Sequence, residues 1–146
     1  MPQPESANVE LMRRGFANFS RADWDATLAE IHPEIEWHLT FMLPDLPPDK
    51  TVFYGHEQVR GLWVHLREAW DELELDLEEV LFDGEGAGGD GLLVLRVRFK
   101  ARSESSGIEV DRRLFYVQDI RDGMLLRLRP FDTAEEAFSA AGVERA

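Results

Sequence analysis

A chain of 146 residues with 44% hydrophobic content holds enough apolar material for one domain, spanning 1–146, with a real core. Its formal net charge of −13 argues against nucleic acid, whose phosphates call for a basic surface, and its lack of cysteine excludes disulfides and a thiol nucleophile. No apolar run reaches membrane-spanning length, and the opening MPQPESANVE lacks the basic and apolar regions of a signal peptide, so a cytoplasmic protein with no membrane partner is expected.

Met1 to Ser6 is expected to be loose. Between Asn8 and Ser20, Val9, Met12, Phe16 and Phe19 recur every three or four residues, the apolar stripe of a helix. A short second helix is predicted from an N-cap at Asp23 through Trp24, Leu28 and Ile31, stopped by Pro33. IEWHL then reads as a strand with Ile35, Trp37 and Leu39 on one face and Glu36 and His38 on the other. Residues 40–55 hold three prolines without a period and read as a long loop, the kind that serves as a lid, a binding loop or a packed crossing. A third helix from His56 to Trp70 buries Val59, Leu62, Trp63, Leu66 and Trp70. ELELDLEEVLF alternates leucine with acid and is a strand; GEGAGGDG is a flexible connection.

Three antiparallel strands follow, from Leu92 to Phe131. In LLVLRVRFKAR, Leu93, Leu95, Val97 and Phe99 share one face, because side chains alternate along a strand. A polar turn at Ser103 to Gly107 leads into IEVDRRLFYVQDI, and Asp122-Gly123, a strong hairpin signal, leads into MLLRLRPF. An odd sum of paired residue numbers in the first hairpin, about 209 or 211 by the same parity, is expected: at 209 Lys100 meets Glu109, Arg98 meets Asp111 and Phe99 meets Val110, whereas an even sum would set Phe99 against Asp111. Pairing Arg121 with Met124 then puts Val110, Leu114, Ile120, Leu125 and Phe131 on the inner face. Arg112, Tyr116, Gln118, Arg127 and Arg129 join them there, with Tyr116 opposite Arg129 and Gln118 opposite Arg127. The outer face centres on Phe115, Val117, Leu126 and Leu128. A last short helix, TAEEAFSAAG, ends the chain, and helices segregated from an antiparallel sheet make the fold α+β.

An apolar face carrying a few converging polar groups is what a ligand pocket looks like. Arg and Tyr there would stabilise negative charge on a small ligand, since buried guanidinium groups demand an anion nearby; the competing reading puts Arg127 and Arg129 at a sheet end, paired with Glu135, Glu136 or solvent. Tyr116, Arg129 and His38 are therefore the candidate catalytic groups. Trp37, Tyr54, Trp63, Arg112, Gln118, Arg127 and Phe131 are the candidate ligand contacts. For the large aromatics, plain core is the competing reading. His38 with Glu36 could form an acid/base pair or a solvated strand edge, and Asp45 or Asp49 could supply a base from the loop. The four histidines show no HxH or HExxH spacing and the glycines no GxGxxG, so neither a metal nor any other cofactor is expected. The bare outer patch predicts a two-fold homodimer.

In its order of elements and in the stretches VELMRRGFANFSRADWDATLAEIHPEIEWH, YGHEQVRGLW and RDGMLLRLRPFDTAEEAFSAAG, the sequence resembles the SnoaL-like family of the nuclear transport factor 2-like (NTF2-like) superfamily. That resemblance implies a cone, a curved antiparallel sheet wrapped around three N-terminal helices, with a small-molecule pocket between them and frequent dimerisation through the outer sheet face. Relatives include ketosteroid isomerases, polyketide cyclases, epoxide hydrolases and dehydratases. By position, the isomerases' oxyanion tyrosine would fall near Gly15 and their general base near Trp37 or His38, and neither group is present. The cyclase acid would come from the last strands, where Asp132 is nearest but sits on the outer face. The expectation is thus a binder of a small carbonyl or carboxylate compound, either a cyclase, isomerase or hydrolase or a non-catalytic dimeric accessory module.

Overall fold

The computed structural model describes residues 6–39, 52–85 and 90–144. Helix α1 (Ala7–Ser20) starts at Ser6, whose hydroxyl accepts from the Val9 N–H at 3.2 Å. Asp23 caps α2 (Trp24–Leu28) in the same way, accepting from the Ala26 N–H, which satisfies a donor the first turn leaves free. Here the first expectation needs correction. The helix ends at Leu28, and Ile31 and Pro33 belong to strand β1 (Ile31–His38). Pro33 is tolerated because the ladder is irregular between Ile31 and Glu36, where a missing N–H costs nothing.

Part of the predicted loop is also structured: Val52–Tyr54 forms strand β2, antiparallel to β1. Residues 40–51, with Asp45 and Asp49, lie outside the described residues. Helix α3 (Gly55–Ala69) follows at once, and Val59, Leu62, Trp63 and Leu66 form its buried stripe. Strands β3 (Glu72–Glu85), β4 (Gly91–Arg102), β5 (Glu109–Arg121) and β6 (Met124–Phe131) complete the sheet, and α4 (Ala134–Ala141) ends on Gly142 in the left-handed conformation that a helix C-cap favours. The sheet order is β2-β1-β6-β5-β4-β3, with β1 parallel to β6 and every other pair antiparallel.

The β4–β5 register has the expected parity, with a sum of 211: Leu95 faces Tyr116 and Lys100 faces Asp111. The β5–β6 register starts as expected, Arg121 opposite Met124 and Ile120 opposite Leu125, then slips by one, so that Asp119 meets Arg127 and Gln118 meets Leu128. One extra residue, Leu126, forms a bulge, and because the side-chain period is two, every later residue changes face. Leu128 therefore points inward at 2% exposure, while Arg127, Arg129 and Phe131 point outward. The inner face packs on α1 and α3 as one apolar core that includes Leu93, Leu95, Val97, Leu114 and Trp63.

The outer patch is not bare. Ala134, Ala137 and Phe138 of α4 pack on Val94 and Val117, with Phe115 and Phe131 at the edge, and Val117 is fully buried. The rest of the outer face is a charge ladder. Arg98 grips Asp111 at 2.9 and 2.7 Å, a bond that holds the Asp111 carboxyl below the usual carboxylate range, and Arg102 reaches Glu72 at 2.7 Å. No helix among the described residues is long and apolar enough to cross a membrane.

Candidate functional site

A cavity of about 50 Å³ lies between α1 and the inner face where β1, β6 and β5 meet; counting the space at its open mouth, the volume is about 480 Å³. Enclosed space of that size holds roughly four waters or the core of a single ring. Leu11, Met12, Gly15, Phe16 and Phe19 of α1 form one wall. Ile31, Trp37, Leu75, Leu125 and Leu128 of the sheet form the other. A smaller cavity of about 30 Å³ adjoins it across the shared Phe19, Trp37, Leu75 and Tyr116, and His38 and Leu39 border that second space.

Four polar side chains reach the larger cavity: Thr27, Glu30, Tyr116 and Gln118. The Thr27 hydroxyl is already committed, donating to the Asp23 carbonyl at 2.8 Å. Tyr116 is buried, which pushes its phenol far above its ordinary pKa; it stays neutral and able to donate. Gln118 is 2% exposed, and its Oε1 has no protein hydrogen-bond partner. Glu30 is held from both sides. Its carbonyl accepts from the Leu125 N–H at 3.1 Å, and its Oε1 accepts from the Arg14 Nε at 3.1 Å. Its Oε2 is buried without a protein partner. A buried polar atom left unmatched costs about 1–3 kcal/mol, so two of them around one cavity call for an explanation. Glu30 and Tyr116 line one space, and a carboxylate and a neutral phenol on its walls are the groups that acid–base chemistry needs, one to accept a proton and one to donate to an oxygen.

The bulge separates the residues expected to converge. Tyr116 and Gln118 line the cavity and Trp37 lines both cavities. Arg127 and Arg129, expected inside, lie on the outer face, where Asp119 is their anion at 2.9 and 3.7 Å; burial and the charge of Arg127 hold the Arg129 pKa below its usual value. Phe131 packs beneath α4. Arg112 is ion-paired to Asp132 at the strand end and does not line either cavity. Tyr54 is 55% exposed before α3, away from both cavities. Trp63 is fully buried core, packed at ring distances of 5.4 to 6.0 Å on Trp24, Trp37 and Phe19. His38 bonds Glu36 at 2.7 Å and touches only the rim of the smaller cavity.

Glu30 was not among the candidates. It sits at the α2–β1 junction, where neither the helical nor the strand period predicts a direction, and the signal for it is three-dimensional: the pairing with Arg14 on α1.

Comparison with known proteins adds the relatives. No curated protein sequence matches the chain. Among solved structures, TerC co-crystallised with polyporic acid is similar over 94% of this chain and 99% of its own, at 18% identity and a TM-score of 0.70. A Mycobacterium tuberculosis protein in complex with estradiol-17beta-hemisuccinate is similar over 90% of this chain and 97% of its own, at 14% identity and a TM-score of 0.68. An NTF2-like protein of unknown function from Burkholderia pseudomallei matches at 18% identity and a TM-score of 0.68, over 92% of this chain and 97% of its own. At such identities the likeness shows the fold alone. The family model for the SnoaL-like domain matches residues 12–128, a span that takes in most of α1, most of the cavity walls and the bulge. The chain therefore belongs to the SnoaL-like family.

Proposed function

We propose that this chain binds a small, mainly apolar molecule carrying a carbonyl or hydroxyl oxygen in the cavity under α1, and acts on it by acid–base chemistry. Glu30 is the proton acceptor and Tyr116 the donor to the ligand's oxygen. The observation that carries the reading is the Glu30 carboxylate, with one oxygen anchored by Arg14 and the other buried and unmatched at the cavity wall. The ligands in the TerC and Mycobacterium tuberculosis structures support a small-molecule role for a cavity of this kind. Tyr116 keeps the role of electrophile first shared with Arg129, and the role of base passes from His38 to Glu30, because neither Arg129 nor His38 lines the main cavity.

Exchange of α-protons of a small ring ketone in deuterium oxide, followed by NMR, tests the chemistry. The wild type should accelerate it, and Glu30→Gln should remove on the order of 10² to 10⁴ of the acceleration, the usual contribution of a positioned base. Binding without any exchange would leave a non-catalytic ligand-binding module as the better description.

A homodimer through the outer sheet face remains part of the proposal on a narrower basis. The surface it would use is the strip beside α4 with Glu36, His38, Arg127 and the bulge residue Leu126, which belongs to neither apolar cluster among the described residues. Sedimentation at micromolar concentration should give twice the chain mass; a monomer removes this assembly.

A further inference from the structure

We infer that the cavity selects an uncharged ligand that donates a hydrogen bond, a phenol, an enol or an alcohol, and rejects carboxylates. This rests on the reading of the cavity as a ligand site and narrows it. The unmatched polar atoms on the walls are Glu30 Oε2 and Gln118 Oε1, both acceptors. Turning the Gln118 amide over would exchange its oxygen for a donor, but a carboxylate oxygen held by Arg14 has no such freedom. An occupant that leaves Glu30 matched must therefore bring a donor, as a hydroxyl group does and as a ketone substrate does only in its enol form, while Gln118 and the Tyr116 hydroxyl suit either kind of group.

The charge count sets the rest. Glu30 is the only charged side chain that lines the cavity among the described residues, and Arg14 balances it from outside the walls. The pair is neutral as it stands. A carboxylate ligand would bring a second negative charge against Glu30 with no guanidinium on any wall, since Arg112, Arg127 and Arg129 each face an aspartate elsewhere. An ammonium ligand would add an uncompensated positive charge to an apolar enclosure walled by Phe16, Phe19 and Trp37. A hydroxyl group satisfies Glu30 with no net charge, and its ring or chain fills the apolar remainder.

Four probes of one shape separate these cases in calorimetric titrations of the full chain: p-cresol, toluene, 4-methylbenzoate and 4-methylbenzylamine, with the Trp37 indole NMR signal reporting entry into the cavity. The p-cresol should bind tightest, by about tenfold over toluene, the ratio expected for one hydrogen bond to a charged group. Glu30→Leu should remove that preference and leave toluene binding in place; Glu30→Gln, which keeps an acceptor without the charge, should keep part of it. Equal affinity for p-cresol and toluene, or tightest binding of the benzoate or the amine, overturns the ligand class while the cavity stays a binding site. No binding of any probe at millimolar concentration, with Trp37 unmoved, overturns the ligand class together with the small-molecule reading beneath it.

Discussion

Replacing Leu128 with alanine should destabilise the protein by about 2–5 kcal/mol, while the same change at its neighbour Arg127 should cost less than about 1 kcal/mol. Leu128 is 2% exposed and lines the cavity wall, whereas Arg127 is 41% exposed and makes one ion pair, to Asp119. A regular β6 continuing from the Asp122-Gly123 turn would give the opposite ranking, with Arg127 buried and Leu128 on the outer face. Urea midpoints for the two variants, measured with equal slopes, decide between the registers. Arg127→Ala as the costlier change would mean that the bulge at Leu126 is misplaced and that two guanidinium groups do line the site.

The physical reason for the bulge was present in MLLRLRPF. Leu125 and Leu128 cannot both face the core on a regular strand, since they are three apart. A regular strand with Leu125 inside, opposite Ile120, must also bury Arg127 and Arg129, while the opposite parity turns Leu125 and Ile120 out of the core. Burying two guanidinium groups costs several kcal/mol unless an anion follows them, while one bulge satisfies Leu125, Leu128 and both arginines, with Asp119 waiting on the outer side. Alternation therefore holds across the β4–β5 pair, where Tyr116 and Gln118 lie on the inner face, and fails in β6, where an irregular backbone is the lower-energy solution. The outer patch shows a related omission. Ala134, Ala137 and Phe138 lie on one stripe of α4, and Phe115 and Val117 needed a cover; each solved the other's exposure without a second chain.

Glu30 marks a different limit. Helical and strand periods assign faces within elements, but its direction is set by the junction between α2 and β1, by the Leu125 N–H on its carbonyl and by Arg14 on its carboxylate. Those partners are 16 and 95 positions away in sequence, outside any local window, and only the packed chain brings them together.

Gly15 offers the sharpest test of where the ligand sits, because stability and binding should move in opposite directions. It occupies the interior of α1, lines the cavity, and a Cβ built on it meets nothing within 4 Å. Glycine inside a helix costs about 0.5–1 kcal/mol relative to alanine, so its presence at an open wall gives up stability and leaves room. Gly15→Ala should raise stability by that amount with little loss of p-cresol affinity. Gly15→Leu should also be at least as stable as the wild type, since its side chain gains apolar contact with the walls, but should weaken p-cresol binding by more than about tenfold by taking the same space. Undiminished binding to a stably folded Gly15→Leu protein would place the ligand elsewhere, and Glu30 would then be a strut between α1 and β1 rather than a group that meets substrate.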